Sequence, residues 1–456
     1  MEMEKKAHHV LVVPYTSQGH YNPMHQFSKR LVSKGLKATL VVTHFISKSM
    51  KPNPLGSVQI DTISDGCDAG GFAQAETIKD YLTRLETAGS KTLAELIVKY
   101  KDTASPVDCI VYDAFLPWVL DVAQQFGIGG AAFFTQMAAV NYIYYYAQHK
   151  LLPLPVVSTP VMIPGLPPLE LRDMPSFIYV AGSYPAYFEM VLSQFSNANK
   201  PPSILMNTFY KLEEEVVDAM SKLCPLLTIG PTIPSIYLDK RLQNDNDYGL
   251  NLFQLDSSRP INWLNSKPPR SVIYVAFGSM ANLSEKQMEE LAYGLKRTNF
   301  HFIWAIRASE EAKIPIEFKQ EAPNKGLIVN WIPQLEVLSN EAIGCFFTHC
   351  GWNSTIEALS LGVPMVAMPQ WTDQTTDAKF VEDIWKVGVR VRVDENGIVG
   401  REEIESCIVK VMEGETGGEM RKNAEKWKKL AVEAVSEGGT SDKNIDDFVS
   451  TLVSSS

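Results

Sequence analysis

Two groups of residues in this chain have types and spacings suited to chemistry. Near the N-terminus, Pro14-Tyr15-Thr16-Ser17-Gln18-Gly19-His20 follows an apolar run. A histidine at the end of a strand can take up a proton near neutral pH, because its ordinary pKa is about 6.5. Asp113 closes a second run, Cys109-Ile110-Val111-Tyr112, where its carboxylate can accept a hydrogen bond from one ring nitrogen and balance the imidazolium. The other group runs from Trp331 to Gln374. Within it, Thr348-His349-Cys350-Gly351-Trp352-Asn353-Ser354-Thr355 reads as a strand leading through glycine into a helix. Such a junction presents unpaired backbone N–H groups and the positive end of a helix dipole, which seat a diphosphate. His349, Asn353 and Ser354 add side-chain donors, and Gly351 lets the backbone approach closely. Glu357, three residues beyond Ser354, shares its helical face and can accept from ribose hydroxyls. Asp373 and Gln374 combine acceptors and donors that suit sugar hydroxyls, and Trp331 offers an aromatic plate just after a strand. Any of these aromatics alone reads equally well as core; the ordered series sets them apart. Cys345 and Cys350 beside His349 match no zinc spacing, so no metal is expected.

Positioning these residues takes strands that end along a common edge. Short β-branched runs recur between amphipathic stretches, the pattern of parallel strands joined by crossover helices. They are His9–Pro14, Ala38–Thr43, Val58–Ile63, Asp108–Tyr112 and Gly130–Phe134, then Ser271–Phe277, Phe300–Ile306, Gly326–Asn330, Gly344–Thr348 and Pro364–Met368. The series occurs twice, which predicts an α/β protein of two doubly wound, Rossmann-like domains facing across a cleft, with ligands at the carboxyl ends of the strands. The stretch Leu223 to Arg270, rich in Pro, Asn, Asp and Ser, holds the join. The expected division is 1–238 for the first domain, 239–258 for the linker and 259–456 for the second, with a last helix around Ile445–Leu452 packing back on the first. A helix over Gln26–Ser33 is expected to follow His20. His25, His44 and His149 lack a comparable strand-end setting.

Bulk properties bound the partners. The 456 residues are 45% hydrophobic and 21% charged, enough apolar material for packed cores. A net charge of −10 opposes non-specific attraction to nucleic acid or anionic membranes, so a phosphate ligand must be held locally. Met1 to Lys6 carries two acids and then two bases where a secretory signal would place a basic segment and an apolar run, so no export signal is expected. Gly127 to Ala147 is the most apolar stretch, but Gln136, Asn141 and a run of tyrosines interrupt it, which suits a buried strand and helix rather than a membrane span. The six cysteines form no CxxC pair and read as reduced core thiols, so a cytoplasmic location is expected.

Trp331 to Gln374 resembles, in register over its whole length, the signature box of the plant secondary-product glycosyltransferases of family one, which use uridine diphosphate sugars. The resemblance extends over essentially the whole chain. It implies the GT-B arrangement of two Rossmann-like domains and an inverting transfer of glucose from UDP-glucose to a small hydrophobic acceptor, giving β-glucosides or glucose esters. Under it, Trp331 would stack on uracil while the Ile332 backbone reads its edge. Gln334 and Glu357 would hold the ribose, and His349, Gly351, Asn353 and Ser354 the diphosphate, joined by Ser279, while Gly19 would also touch the UDP-sugar. Trp352, Asp373 and Gln374 would contact the sugar, the glutamine pointing to glucose. His20 and Asp113 match the family's catalytic pair. No cofactor beyond the co-substrate and no metal is implied, and a monomer is expected.

Segments such as Asp65–Gly71 and Ser183–Phe188 look like the branch that includes salicylate, auxin and steroid glucosyltransferases. The acceptor candidates are Tyr15, Met137, Tyr184, Phe188 and Met280, set beside the motifs or in aromatic stretches; as apolar residues they serve equally as core. A nicotinamide oxidoreductase would carry GxGxxG after the first strand and a serine hydrolase GxSxG, and neither is present. The alternatives are a non-catalytic UDP-sugar-binding protein, which would not need both His20 and Asp113, and a transferase using another UDP-sugar.

Overall fold

In the computed structural model, residues 7–50, 57–197, 200–201, 203–242, 245, 248 and 258–454 are described. Two separate parallel sheets form. The first contains β1 (His9–Val13), β2 (Lys37–Thr43), β3 (Gln59–Ile63), β4 (Val107–Asp113), β5 (Gly129–Phe134), β6 (Ile204–Met206) and β7 (Leu226–Thr228). The second contains β8 (Val272–Ala276), β9 (His301–Ala305), β10 (Gly326–Val329), β11 (Ile343–Thr348), β12 (Met365–Ala367) and β13 (Gly388–Arg390). Their orders are β3-β2-β1-β4-β5-β6-β7 and β10-β9-β8-β11-β12-β13. Each is a doubly wound sheet whose strand order reverses once, between β1 and β4 and between β8 and β11. Beyond those switch points the connecting chains diverge to opposite faces and leave a crevice at the strand ends. The near-continuous apolar strands are buried on both faces, as parallel sheets require: β1, β8 and β11 are buried at every position.

Three strands lie outside the expected runs: β6, β7 and β13. Each has three residues. Three positions are too few for periodicity to distinguish a strand from a loop, and pairing to an existing sheet edge is what makes them strands. The stretch Gly127–Ala147 becomes β5 and most of the helix Ala138–Gln148. No helix among the described residues is long and apolar enough to cross a membrane. The six cysteines are free and buried.

The helix after β1 spans Gln18–Ser33, so it begins eight residues before the expected Gln26. Pro23 lies inside it, which argues for a later start on local grounds. Packing overrides that preference: Tyr21, Met24, Phe27 and Leu31 recur at helical spacing and all join the core of the first sheet. His44 directly follows β2 and opens a short helix, so it does have a strand-end setting, one strand removed from the switch point. His25 lies within the helix Gln18–Ser33, and neither ring nitrogen has a hydrogen-bond partner among the described residues. Burial pushes its pKa down to about 3. The unfolded chain binds this proton near pH 6.5 and the folded one does not. Stability is therefore complete above about pH 6.5 and falls as pH drops towards 3, by up to about 1.4 kcal/mol per pH unit. His25→Met is expected to flatten the loss of melting temperature between pH 7 and pH 5; parallel slopes in the two proteins would count against this origin.

The chain divides into two compact units. The first comprises Met1–Leu169, Phe177–Leu252 and Glu433–Ser456, and the second Glu170–Ser176 and Phe253–Val432. Three features depart from a simple division into halves. Much of 239–258 lies outside the described residues, but Asp239 forms a two-pronged pair with Arg30 at 2.7 and 2.8 Å and Asp245 meets Lys29 at 2.7 Å, all within the first unit. The last helix, Thr440–Ser454, packs on the first sheet, with Phe448 6.2 Å from Phe27 and Asn444 donating to the Thr228 carbonyl at 2.8 Å. The seven-residue strap Glu170–Ser176 joins the second unit, although its sequence neighbours on both sides belong to the first.

Candidate functional site

In the first unit the candidate residues gather at the β1/β4 switch point. His20 lies in the first turn of the helix that follows β1, and Asp113 is the last residue of β4. The imidazole Nδ1 is 2.6 Å from Asp113 Oδ2. A carboxylate can only accept, so Nδ1 carries the hydrogen and Nε2 keeps the lone pair, the basic site. The carboxylate is itself held: Oδ2 also accepts from the Tyr15 backbone N–H at 3.2 Å, and Oδ1 from that of Phe115 at 3.0 Å. Thr135 Oγ1, just after β5, lies 3.2 Å from the same Nδ1. With side-chain exposures of 14% for His20 and 1% for Asp113, the pair is shielded on its aspartate side and open on its histidine side. Tyr15 and Phe115 flank the ring, with centroids 5.2 and 4.9 Å away.

Tyr15 shares a side-chain hydrogen bond with Tyr187, and burial pushes its phenol well above the ordinary range. Phe177, Tyr184, Tyr187 and Phe188 form a neighbouring aromatic cluster, with Phe177 6.3 Å from Tyr184 and 6.4 Å from Phe188. Of the acceptor candidates, Tyr15, Tyr184 and Phe188 thus belong to one aromatic region of the first unit. Met137, the N-cap of the helix Ala138–Gln148, is fully buried. Met280 is half exposed and belongs to the second unit. Gly19 lies in the helix Gln18–Ser33, in the first unit.

In the second unit the candidate residues gather at the β8/β11 switch point. Gly278 and Ser279 follow β8, and His349 to Ser354 follow β11 into the helix Trp352–Leu361, with Gly351 as N-cap. His349 is held between two glycines. A Cβ at Gly278, whose φ is +70°, or at Gly351 would stand 2.7 Å from His349 Nε2. Burial lowers the His349 pKa to about 4, opposed by a hydrogen bond to the Ala276 carbonyl, so the ring is neutral at pH 7. Gln334 opens the helix Gln334–Leu338 and ties the ribose candidates together: its Nε2 donates to Glu357 Oε2 at 2.7 Å and to Ser354 Oγ at 3.0 Å. The buried Tyr274 hydroxyl donates to Gln334 Oε1 at 3.2 Å. Trp331 and Ile332 precede that helix, the first partly exposed and the second buried.

After β12, Gln374 Oε1 accepts from the backbone N–H groups of Gln370 and Trp371 at 2.8 and 3.2 Å, which leaves its NH2 group as the donor. Burial holds the Asp373 carboxyl above its usual range. Trp352, 3% exposed, packs against Trp385 at 6.2 Å. Among the described residues no group of three or more His, Cys, Asp or Glu side chains forms a metal site. Phe115, Thr135, Tyr187, Gly278 and Tyr274 were not singled out by the sequence. Gly278, inside the turn that contains Ser279, was the most accessible to such a reading, since a glycine after a strand marks a close backbone approach.

Residues 257–425 match the family described as "UDP-glucoronosyl and UDP-glucosyl transferase". The chain is 56% identical to UDP-glycosyltransferase 74F2 of Arabidopsis thaliana, over 99% of this chain and 100% of that protein. It is 53% identical to the flavonol 7-O-beta-glucosyltransferase UGT74F1 of the same plant, over 99% of each. Among solved structures it superposes on Os79 from O. sativa in complex with UDP with a TM-score of 0.93 at 40% identity, covering 97% of this chain and 100% of that one.

Proposed function

The chain belongs to the plant family-one UDP-dependent glycosyltransferases, and from that premise we propose that it transfers glucose, with inversion, from UDP-glucose to a hydroxyl or carboxyl oxygen of a small, largely apolar acceptor. The observation that carries the reaction is the His20–Asp113 contact at 2.6 Å, with Nε2 left as the base. As the acceptor oxygen attacks the anomeric carbon, its proton passes to Nε2, and the bond from that carbon to the phosphate oxygen breaks with its electron pair leaving on UDP. Asp113 stabilises the imidazolium through Nδ1–H. A single displacement without a carboxylate nucleophile turns an α-linked donor into a β-product.

On the donor, Trp331 and Ile332 take uracil and Gln334 and Glu357 the ribose, in keeping with the hydrogen bonds that already join the latter two. The N-terminus of the helix Trp352–Leu361, Gly351, Asn353, Ser354, Ser279 and His349 take the diphosphate, whose charge favours protonation of His349. That cradle supports release of UDP without a metal. Asp373, Gln374 and Trp352 contact the sugar. The region of Tyr15, Tyr184 and Phe188 offers the acceptor an apolar wall with hydroxyl groups at its edge. Free, buried cysteines support work in the reducing cytoplasm.

The test is purified protein with UDP-glucose, UDP-galactose or UDP-glucuronate and a panel of flavonols, phenolic acids, other carboxylic acids and steroids. Release of UDP is followed together with product mass. UDP-glucose is expected to support turnover best, with products heavier by one hexose. Tight UDP-sugar binding without turnover on any acceptor would indicate a binding protein, and preference for another donor would overturn the glucose assignment.

A further inference from the structure

We propose that the strap Glu170–Ser176, through Ser176, positions the turn Thr372-Asp373-Gln374 and so determines how well the enzyme recognises the donor's sugar; the inference rests on the donor reading above. The strap is drawn from the first half of the chain, yet it is bound in the second unit. Its one turn, Leu171–Asp173, is closed by a capping box between Glu170 and Asp173. Arg390 at the end of β13 donates to Asp173 Oδ1 at 2.9 Å and to the Arg172 carbonyl at 2.8 Å. Thr376 Oγ1 donates to the Asp173 carbonyl at 2.8 Å, and Thr375 Oγ1 to the Met174 carbonyl at 2.6 Å. Lys379 Nζ lies 3.5 Å from Asp173 Oδ2.

Ser176 then makes a reciprocal pair with Thr372: the Thr372 N–H donates to Ser176 Oγ at 2.7 Å, and the Ser176 N–H donates to the Thr372 carbonyl at 2.8 Å. Thr372 has φ +55°, a conformation that a β-branched residue adopts only where its surroundings hold it. Ser176 is 5% exposed, so this clasp is shielded from competing water.

The spacing assigns separate tasks to neighbouring residues. Thr375, Thr376 and Lys379, in the helix Gln374–Lys379, and Thr372, just before it, hold the strap. Asp373 and Gln374, interleaved between them, are directed elsewhere, and Gln374 braces the turn from within through Gln370 and Trp371. The bonds that hold the strap run to Thr372, Thr375, Thr376, Lys379 and Arg390, apart from the hydrogen bonds that join Gln334 to Glu357 and Ser354. Loosening it therefore moves the sugar contacts while leaving the nucleotide contacts in place.

The experiment compares wild type, Ser176→Ala, Ser176→Thr and Asp173→Asn as full chains, measuring kcat and KM for UDP-glucose and UDP-galactose, Kd for UDP and melting temperature. Ser176→Ala leaves the Thr372 N–H without its acceptor. It is expected to lower kcat/KM for UDP-glucose about three- to tenfold and to narrow the preference over UDP-galactose, with Kd for UDP changed less than about twofold. Ser176→Thr keeps the hydroxyl and is expected to restore most of the loss, and Asp173→Asn to reproduce it in weaker form. Unchanged kcat/KM and selectivity in Ser176→Ala would overturn the inference. So would an equal loss of UDP and UDP-glucose affinity with a lowered melting temperature, which marks a purely structural role. If the wild type itself fails to turn over UDP-glucose, the donor reading fails first, and that result is distinguishable from either.

Discussion

His20→Ala is expected to lower kcat for a hydroxyl acceptor by about 10²–10⁴ while leaving the affinity for UDP unchanged. The reasoning follows from the geometry of the pair. Nδ1 is committed to Asp113 at 2.6 Å, so Nε2 is the ring's proton-accepting atom, and alanine has none. The side chain is 14% exposed and its neighbours Tyr15 and Phe115 are also aromatic, so truncation removes a base rather than a structural bond to the donor residues from Ser279 to Gln374, which belong to the second unit. A built-in control comes from acceptor chemistry. A carboxylic acid has already lost its proton at pH 7 and needs no base. Formation of a glucose ester should therefore fall far less than formation of a phenolic or steroid glucoside. Equal losses for both acceptor types, or near-full activity with a hydroxyl acceptor, would show that His20 is not the base.

Asp113→Asn is expected to be nearly as damaging, again by about 10²–10⁴ in kcat, although it changes few atoms. The carboxylate accepts three hydrogen bonds, from His20 Nδ1 and from the Tyr15 and Phe115 backbone N–H groups. An amide has a single oxygen and presents donors on its other arm. If that oxygen takes the Oδ2 place, the histidine and the Tyr15 N–H keep an acceptor and the Phe115 N–H loses its own; if it takes the Oδ1 place, Phe115 is served and both the histidine and the Tyr15 N–H lose theirs, and in either case the imidazole loses its anionic partner. Either orientation leaves a backbone N–H unpaired and costs about 1–3 kcal/mol of stability, which a melting curve reads. Because the two residues act as one unit, the double variant should be little worse than His20→Ala alone. Multiplicative losses would mean that Asp113 acts independently of the imidazole.

Legibility in the sequence followed sequence distance. His20 and Asp113 could be picked out because one follows an apolar run through a short turn and the other ends one, and the donor group because Trp331 to Gln374 is nearly continuous, so its order is preserved along the chain. The start of the helix at Gln18 was not legible, since Pro23 argues locally for a later start and only the burial of Tyr21 and Met24 outweighs it. The full burial of Met137 was not legible either, because an apolar side chain next to a motif looks the same whether it faces a ligand or the core.

By itself, the sequence determined the doubly wound fold class, the residue types of both groups and the chemistry they support, because hydrophobic period and strand-end position are local properties. Only the tertiary structure decided that β1 lies beside β4, which brings Nδ1 of His20 onto an aspartate 93 residues away, and that His349 is held between Gly278 and Gly351. It alone placed the strap Glu170–Ser176 against Thr372 and Arg390, contacts spanning 196 and 217 residues. Strand order and strap docking are set by which apolar surfaces fit together and which buried polar groups find partners. Those are properties of the packed chain, and no short window of sequence contains them.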